Sequence, residues 1–130
     1  MRYLIITTAL FAAFASPVCA KTADDIAHGA AIYAAHCALC HDNSEHMLND
    51  NGPALFGVVG RPVASVQGYR YSPALKAASK GKAVWSVKRL DRFLTQPSHM
   101  YPGTGMPMNF DKASDRRAII AYLKTLKAEN

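Results

Sequence analysis

This chain has little cysteine and a weak acidic complement. Only three of its 130 residues are cysteine, one is tryptophan, and Asp plus Glu number 9 against 15 Lys plus Arg. Aromatics make up 9% of the chain and charged residues 18%. The net charge of +6 is spread out, without a polybasic tail or a basic–aromatic stripe, which excludes nucleic acid as a partner. Beyond the N-terminus no apolar run is long enough to cross a bilayer. There is no internal repeat, no low-complexity linker and no clear strand pattern.

The one long apolar run lies at the start and reads as a secretory leader. Arg2 supplies a positive charge, residues 4–14 an apolar stretch, and Val18-Cys19-Ala20 a small-residue cleavage site. Cleavage after Ala20 would leave residues 21–130, about 110 residues, as a single domain with a small core. The charge would then be +5, Arg2 being the only charged residue removed. Export implies the periplasm, since the chain would be completed outside the cytoplasm.

Export also removes Cys19 and leaves two cysteines, both in the run Cys37-Ala38-Leu39-Cys40-His41. A C-x-x-C-H in an exported chain is the attachment signature of a c-type haem. Two thiols about one helical turn apart lie on one face, as addition across the two vinyl groups of one porphyrin requires. The histidine directly after them offers an imidazole nitrogen to the iron. Zinc would need about four ligands, and no second C-x-x-C accompanies this one. A redox dithiol would follow a strand, whereas the preceding segment reads as helix. A disulfide across two residues would close a strained loop.

Hydrophobic spacing places a first helix over residues 24–40, with Thr22 and Asp25 as a capping box and Ile26, Gly29, Ala30 and Tyr33 on one face. Residues 42–71, rich in Gly, Asn and Pro, read as loop. Ser72-Pro73 starts a short helix that ends near Gly81. Ser86 caps another, carrying Val87, Leu90, Phe93 and Leu94 inward and stopped by Pro97. Residues 98–111 form a second loop. Ser114 caps a last helix with Ile119, Tyr122, Leu123 and Leu126 in a stripe. The fold class is therefore all-α: three to four helices and long loops wrapped around one covalently attached haem.

A single histidine leaves the opposite face of the iron open. The loop Pro102-Gly103-Thr104-Gly105-Met106-Pro107-Met108 offers a thioether, and His/Met ligation raises the reduction potential and blocks small-ligand chemistry. Met106 follows a glycine-rich turn that brings backbone close to a ring and is the chosen donor. Met108 and His99 are the alternatives, and methionine also serves simply as core filler.

With motif, middle loop and methionine loop in this order, the chain resembles the class I c-type cytochromes, of the short mitochondrial and bacterial type. The resemblance covers nearly all of residues 24–126. It implies that Gly29 and Tyr33 on the first helix cross closely over Ile119 and Tyr122 on the last. It implies that the Pro53 carbonyl accepts the N–H of the His41 ring and fixes its tautomer. It implies that Arg61, Tyr71 and Trp85 supply donors around a haem propionate, and that Thr104 belongs to the family's methionine loop before Met106. Read from the residues alone, Arg61 is better taken as a solvated loop charge, and Tyr71 and Trp85 can be ordinary core aromatics.

The chain also departs from the pattern. Where related mitochondrial proteins carry lysines around the haem edge, this one has His36, Asp50, Ser98, His99 and Gly105. Its basic residues fall instead at Lys76, Lys80, Lys82, Lys88, Arg89, Arg116, Arg117 and Lys124. A docking face near Ala38, Met100, Tyr101 and Pro107 should thus be more apolar, and docking less sensitive to salt. The function expected is a monomeric periplasmic one-electron carrier, not an enzyme. It would hold one haem c and shuttle between a respiratory or dehydrogenase donor and an oxidase or reductase acceptor. The alternatives are a haem peroxidase or small-molecule reductase with an open sixth site, and a dedicated electron-transfer subunit of one complex.

Overall fold

The structure, a computed structural model, describes residues 17–128. The charged and apolar parts of the expected leader, residues 1–16, lie outside the described residues. Five helices follow in chain order: α1 (Pro17–Ile32), α2 (Pro73–Lys80), α3 (Val87–Thr95), α4 (Pro97–Met100) and α5 (Ala113–Leu123). A π-helical turn, Tyr33–Cys37, extends α1 directly into the C-x-x-C-H motif. Among the described residues, extended pairing is limited to two isolated bridges, His41 with Asn49 and Pro62 with Val84. The all-α expectation is met.

α1 packs most extensively on α5. A β-carbon at Gly29 would collide with the backbone of Ala118, so glycine is what lets the two helices touch at their crossing. The rings of Tyr33 and Tyr122 meet at 5.4 Å one turn further on. An ion pair and a hydrogen bond lock the rim of the same crossing: Arg117 Nε to Asp25 Oδ2 at 3.0 Å and His28 Nε2 to Asp115 Oδ1 at 3.2 Å. Ile119, Ile120 and Leu123 then join Tyr33, Leu90, Leu94 and Trp85 in one buried cluster.

The helix caps explain where the chain turns. Ser72 Oγ accepts the Leu75 N–H at 3.3 Å with Pro73 at the first helical position, and Ser86 Oγ accepts the Arg89 N–H at 3.2 Å. Four local expectations are corrected. Val87, expected inward on α3, is 43% exposed, because it sits in the first turn ahead of the buried Leu90 and Leu94. Thr22 and Asp25 do not cap α1; both lie inside it, because the helix extends back to Pro17. Pro97 does more than stop α3: after an extended Gln96 (φ −158°) it begins α4, proline being suited to a first turn as well as to a break. Ser114 does not cap α5. Lys112 holds that position, its carbonyl accepting from Asp115 and Arg116 at 3.2 Å, while Arg116 Nη1 gathers the Phe110 and Asp111 carbonyls and feeds the chain into the helix.

Candidate functional site: the C-x-x-C-H motif and its loops

The π-helical turn sets the motif. The Ala38 N–H reaches back five residues to the Tyr33 carbonyl at 2.9 Å, which widens the helix as it runs into Cys37. The Cys37 carbonyl then accepts from both Cys40 and His41 N–H at 3.0 Å, closing a tight turn around the motif. Both thiols are free and half-buried. Burial, with a smaller push from Cys40, takes the Cys37 thiol up to about 11.

His41 is seated from two sides. Its Nδ1 donates to the Pro53 carbonyl at 2.7 Å, which leaves Nε2 as the nitrogen with a free lone pair. The ring lies against Gly52, where any β-carbon would collide with it. Burial lowers the pKa of the ring, partly offset by the Pro53 bond, so imidazole is favoured over imidazolium. The segment that brings Gly52 and Pro53 here is tied down by Gly52 N–H to the Cys40 carbonyl and Leu55 N–H to the Asp42 carbonyl, each at 2.8 Å. Asp42 closes the turn behind, accepting from Ser44 N–H, Ser44 Oγ–H and Leu48 N–H.

Arg61 and Trp85 are delivered as a pair. The Gly60 N–H donates to the Trp85 carbonyl at 2.9 Å and the Trp85 N–H to the Arg61 carbonyl at 2.8 Å. The Arg61 guanidinium donates to the carbonyls of Ala54 and Phe56, at 2.7 Å each, so it is not a solvated loop charge. Tyr71 stands close enough to act on that guanidinium, and its hydroxyl accepts the Val66 N–H at 3.2 Å. Trp85 is 9% exposed and packs on Phe93 and Tyr101.

Met106 and Thr104 sit on a separate loop. Gly103 adopts φ +78°, and the Thr104 N–H closes onto the Tyr101 carbonyl at 3.1 Å. Phe110 N–H to the Leu94 carbonyl at 2.8 Å pins the far end. Met106 is half-buried and packs against the core, whereas Met108 is 36% exposed. The His36 and Phe110 rings meet edge-on at 6.2 Å, joining this loop to the motif. Tyr101, expected on the docking face, is instead buried, because Arg89 Nη1 donates to its hydroxyl at 2.8 Å and spares it any need for water.

These residues fit a haem. Two free thiols and an imidazole with one nitrogen tied and one available form a donor set suited to thioether attachment and axial ligation. Leu55, Val59, Tyr71, Met100, Met106 and Phe110 each pack on the core with one side and stay only half-buried, an apolar lining that a flat macrocycle would cover. Residues 26–127 match the Cytochrome c family. The chain belongs to that family, the class I c-type cytochromes. It is 42% identical to a cytochrome c of Euglena viridis over 104 residues, covering 79% of this chain and 98% of that one. It is 35% identical to a cytochrome c2 of Afifella marina over 107 residues, covering 82% and 86%. It is 41% identical to the Rhodobacter capsulatus protein named cytochrome c-type cyt cy over 91 residues, covering 69% of this chain and 43% of that one. As a family member this cytochrome is an electron carrier with covalently attached haem c, and it passes electrons to redox partners. No helix among the described residues is long and apolar enough to cross a membrane.

One contributor escaped the sequence reading. The Tyr33 hydroxyl donates to the His41 main-chain carbonyl at 2.5 Å, whereas the helical spacing marks Tyr33 only as an aromatic on the inner face. The available signal was the hydroxyl itself, since a buried tyrosine needs a partner for it.

Proposed function

We propose that this cytochrome is exported to the periplasm, with cleavage after Ala20, and works there as a monomeric one-electron shuttle and not as an enzyme. Cys37 and Cys40 would hold the haem by thioethers, each S–H adding across one vinyl group, so both must be reduced at attachment. His41 Nε2 and Met106 Sδ would be the two axial donors. Arg61, Tyr71 and Trp85 would stand around a propionate, and Thr104 would support the methionine loop. The haem, when bound, supplies a one-electron ferric/ferrous couple.

The observation that carries this reading is the His41–Pro53 bond of 2.7 Å. It fixes the tautomer and turns Nε2 outward as a donor, and Gly52 stops the ring from rocking. Arg61, locked on Ala54 and Phe56, keeps the loop behind Pro53 from moving. Rigid donors keep reorganisation small when charge changes, as an electron carrier needs. Exposed Leu39 and Met108, at 71% and 36%, lie in the two segments joined by His36 and Phe110. With Ala38 and Pro107 they would form an apolar docking face for a respiratory or dehydrogenase donor and for an oxidase or reductase acceptor.

The test is the visible spectrum of the purified protein in both oxidation states beside Met106→Ala. A low-spin c-type spectrum with a weak far-red sulfur–ferric band, lost in the variant, is expected. A wild-type protein that is high-spin or binds carbon monoxide would point instead to an open sixth site and to peroxide or small-molecule chemistry.

A further inference from the structure

Tyr33 holds the C-x-x-C-H segment at both ends. Its carbonyl takes the Ala38 N–H at 2.9 Å, inside the motif, and its hydroxyl donates to the carbonyl of His41, at the motif's end, at 2.5 Å. The side chain is 4% exposed, and its ring is wedged against Tyr122. The Tyr122 hydroxyl accepts from Asn43 Nδ2 at 2.7 Å, and it is the Tyr33 hydroxyl that donates to the His41 carbonyl.

An open cleft of about 490 Å³ reaches this bond from outside, lined among others by Tyr33, Ala38, His41, Asn43, Leu48 and Asp50. Asp42, Asn43, Asn49 and Asp50 put polar groups along its wall, which lets it hold water. We propose that the Tyr33 hydroxyl is a positioning group for His41: it occupies the His41 carbonyl in place of that water, keeps the histidine side of the site dry, and so raises the reduction potential. The proposal rests on the reading of His41 as an axial donor. Phenylalanine would keep the ring packing but take this donor from the carbonyl, and a carbonyl that loses its donor beside an open cleft draws in water. Water there raises the local dielectric and favours the more highly charged, oxidised state.

The experiment is redox titration of the purified holoprotein, wild type beside Tyr33→Phe and Tyr122→Phe, with spectra recorded throughout. In Tyr33→Phe the low-spin spectrum should persist while the equilibrium moves at least threefold toward the oxidised form, a fall of about 30 mV at about 59 mV per tenfold. Tyr122→Phe, which removes a hydroxyl from the same ring pair without touching His41, should leave the potential in place. A Tyr33→Phe protein that is less heat-stable but unchanged in potential overturns the proposal, as does an equal shift in Tyr122→Phe. Should Tyr33→Phe fail to fold, the wild-type protein decides. Its Tyr33 hydroxyl proton should exchange slowly by NMR in both oxidation states, and rapid exchange overturns the proposal. A wild-type spectrum without low-spin histidine ligation defeats the axial reading itself, and the proposal with it, whatever the variants do.

Discussion

The backbone N–H of Trp85 donates to the carbonyl of Arg61 at 2.8 Å. One short bridge thus sets side by side two side chains that are distant in sequence, with Tyr71 near the guanidinium. Arg61 then spends its fork on the Ala54 and Phe56 carbonyls, next to Pro53, which anchors His41. The chain of contacts runs from Trp85 through Arg61 to the loop that seats His41.

Arg61→Lys should therefore destabilise the protein although charge is kept. A lysine ammonium cannot span two carbonyls with the planar geometry of a guanidinium. Loss of one charge-assisted bond costs about 1–3 kcal/mol. Thermal unfolding of the holoprotein checks this. A midpoint equal to wild type would mean that the loop is held by something other than the fork.

Gly52→Ala should disturb His41 directly. The added β-carbon would collide with the ring and could be relieved only by moving the ring off Pro53 or the loop off Cys40. Overpacking of this kind costs about 1–3 kcal/mol, and the tilted ring should add a high-spin component to the ferric spectrum. A spectrum identical to wild type would show that the ring is not seated on Gly52.

Much of this was legible in the sequence because a few residues carry strong local rules. Cys37, Cys40 and His41 declare their chemistry by spacing, and Ser72 and Ser86 cap their helices as their side chains dictate. The close α1–α5 crossing was expected at Gly29 and Tyr33, and both are at it. What was not legible depends on partners far along the chain. No local pattern distinguishes the π-helical turn at Tyr33–Cys37 from ordinary helix. Arg61 looks like any loop arginine until Ala54 and Phe56 fold under it. Tyr101 looks like an edge aromatic until Arg89 meets its hydroxyl.

The rim of the helix crossing should weaken in acid. The His28 hydrogen bond lowers the Asp115 carboxyl below its ordinary value near 3.8. A depressed folded pKa adds stability that is fully present above the unfolded value and is lost as pH falls through the folded one. The loss should begin below about pH 4 and deepen with further acid. Asp115→Asn should blunt that part of the dependence while changing little at neutral pH. Melting temperature measured from pH 6 down to pH 2.5 provides the check, and identical curves for both proteins would exclude Asp115 from the acid response.

Docking should depend only weakly on salt. The exposed apolar residues Leu39 and Met108 sit in the motif and methionine-loop segments, while exposed Lys76, Lys80, Lys82 and Lys88 belong to α2, α3 and the turn between them. Electrostatically steered association gains about 10- to 1,000-fold at low ionic strength. A partner meeting an apolar face should gain less than about tenfold. Stopped-flow electron transfer with the purified physiological redox partner, across a salt series, measures this. Leu39→Ser with Met108→Ser should slow transfer at every salt concentration, because apolar burial is not screened. Lys82→Gln with Lys88→Gln should slow it little. The opposite ranking of the two double variants, together with a steep fall in rate with salt, would move the docking surface onto α2 and α3.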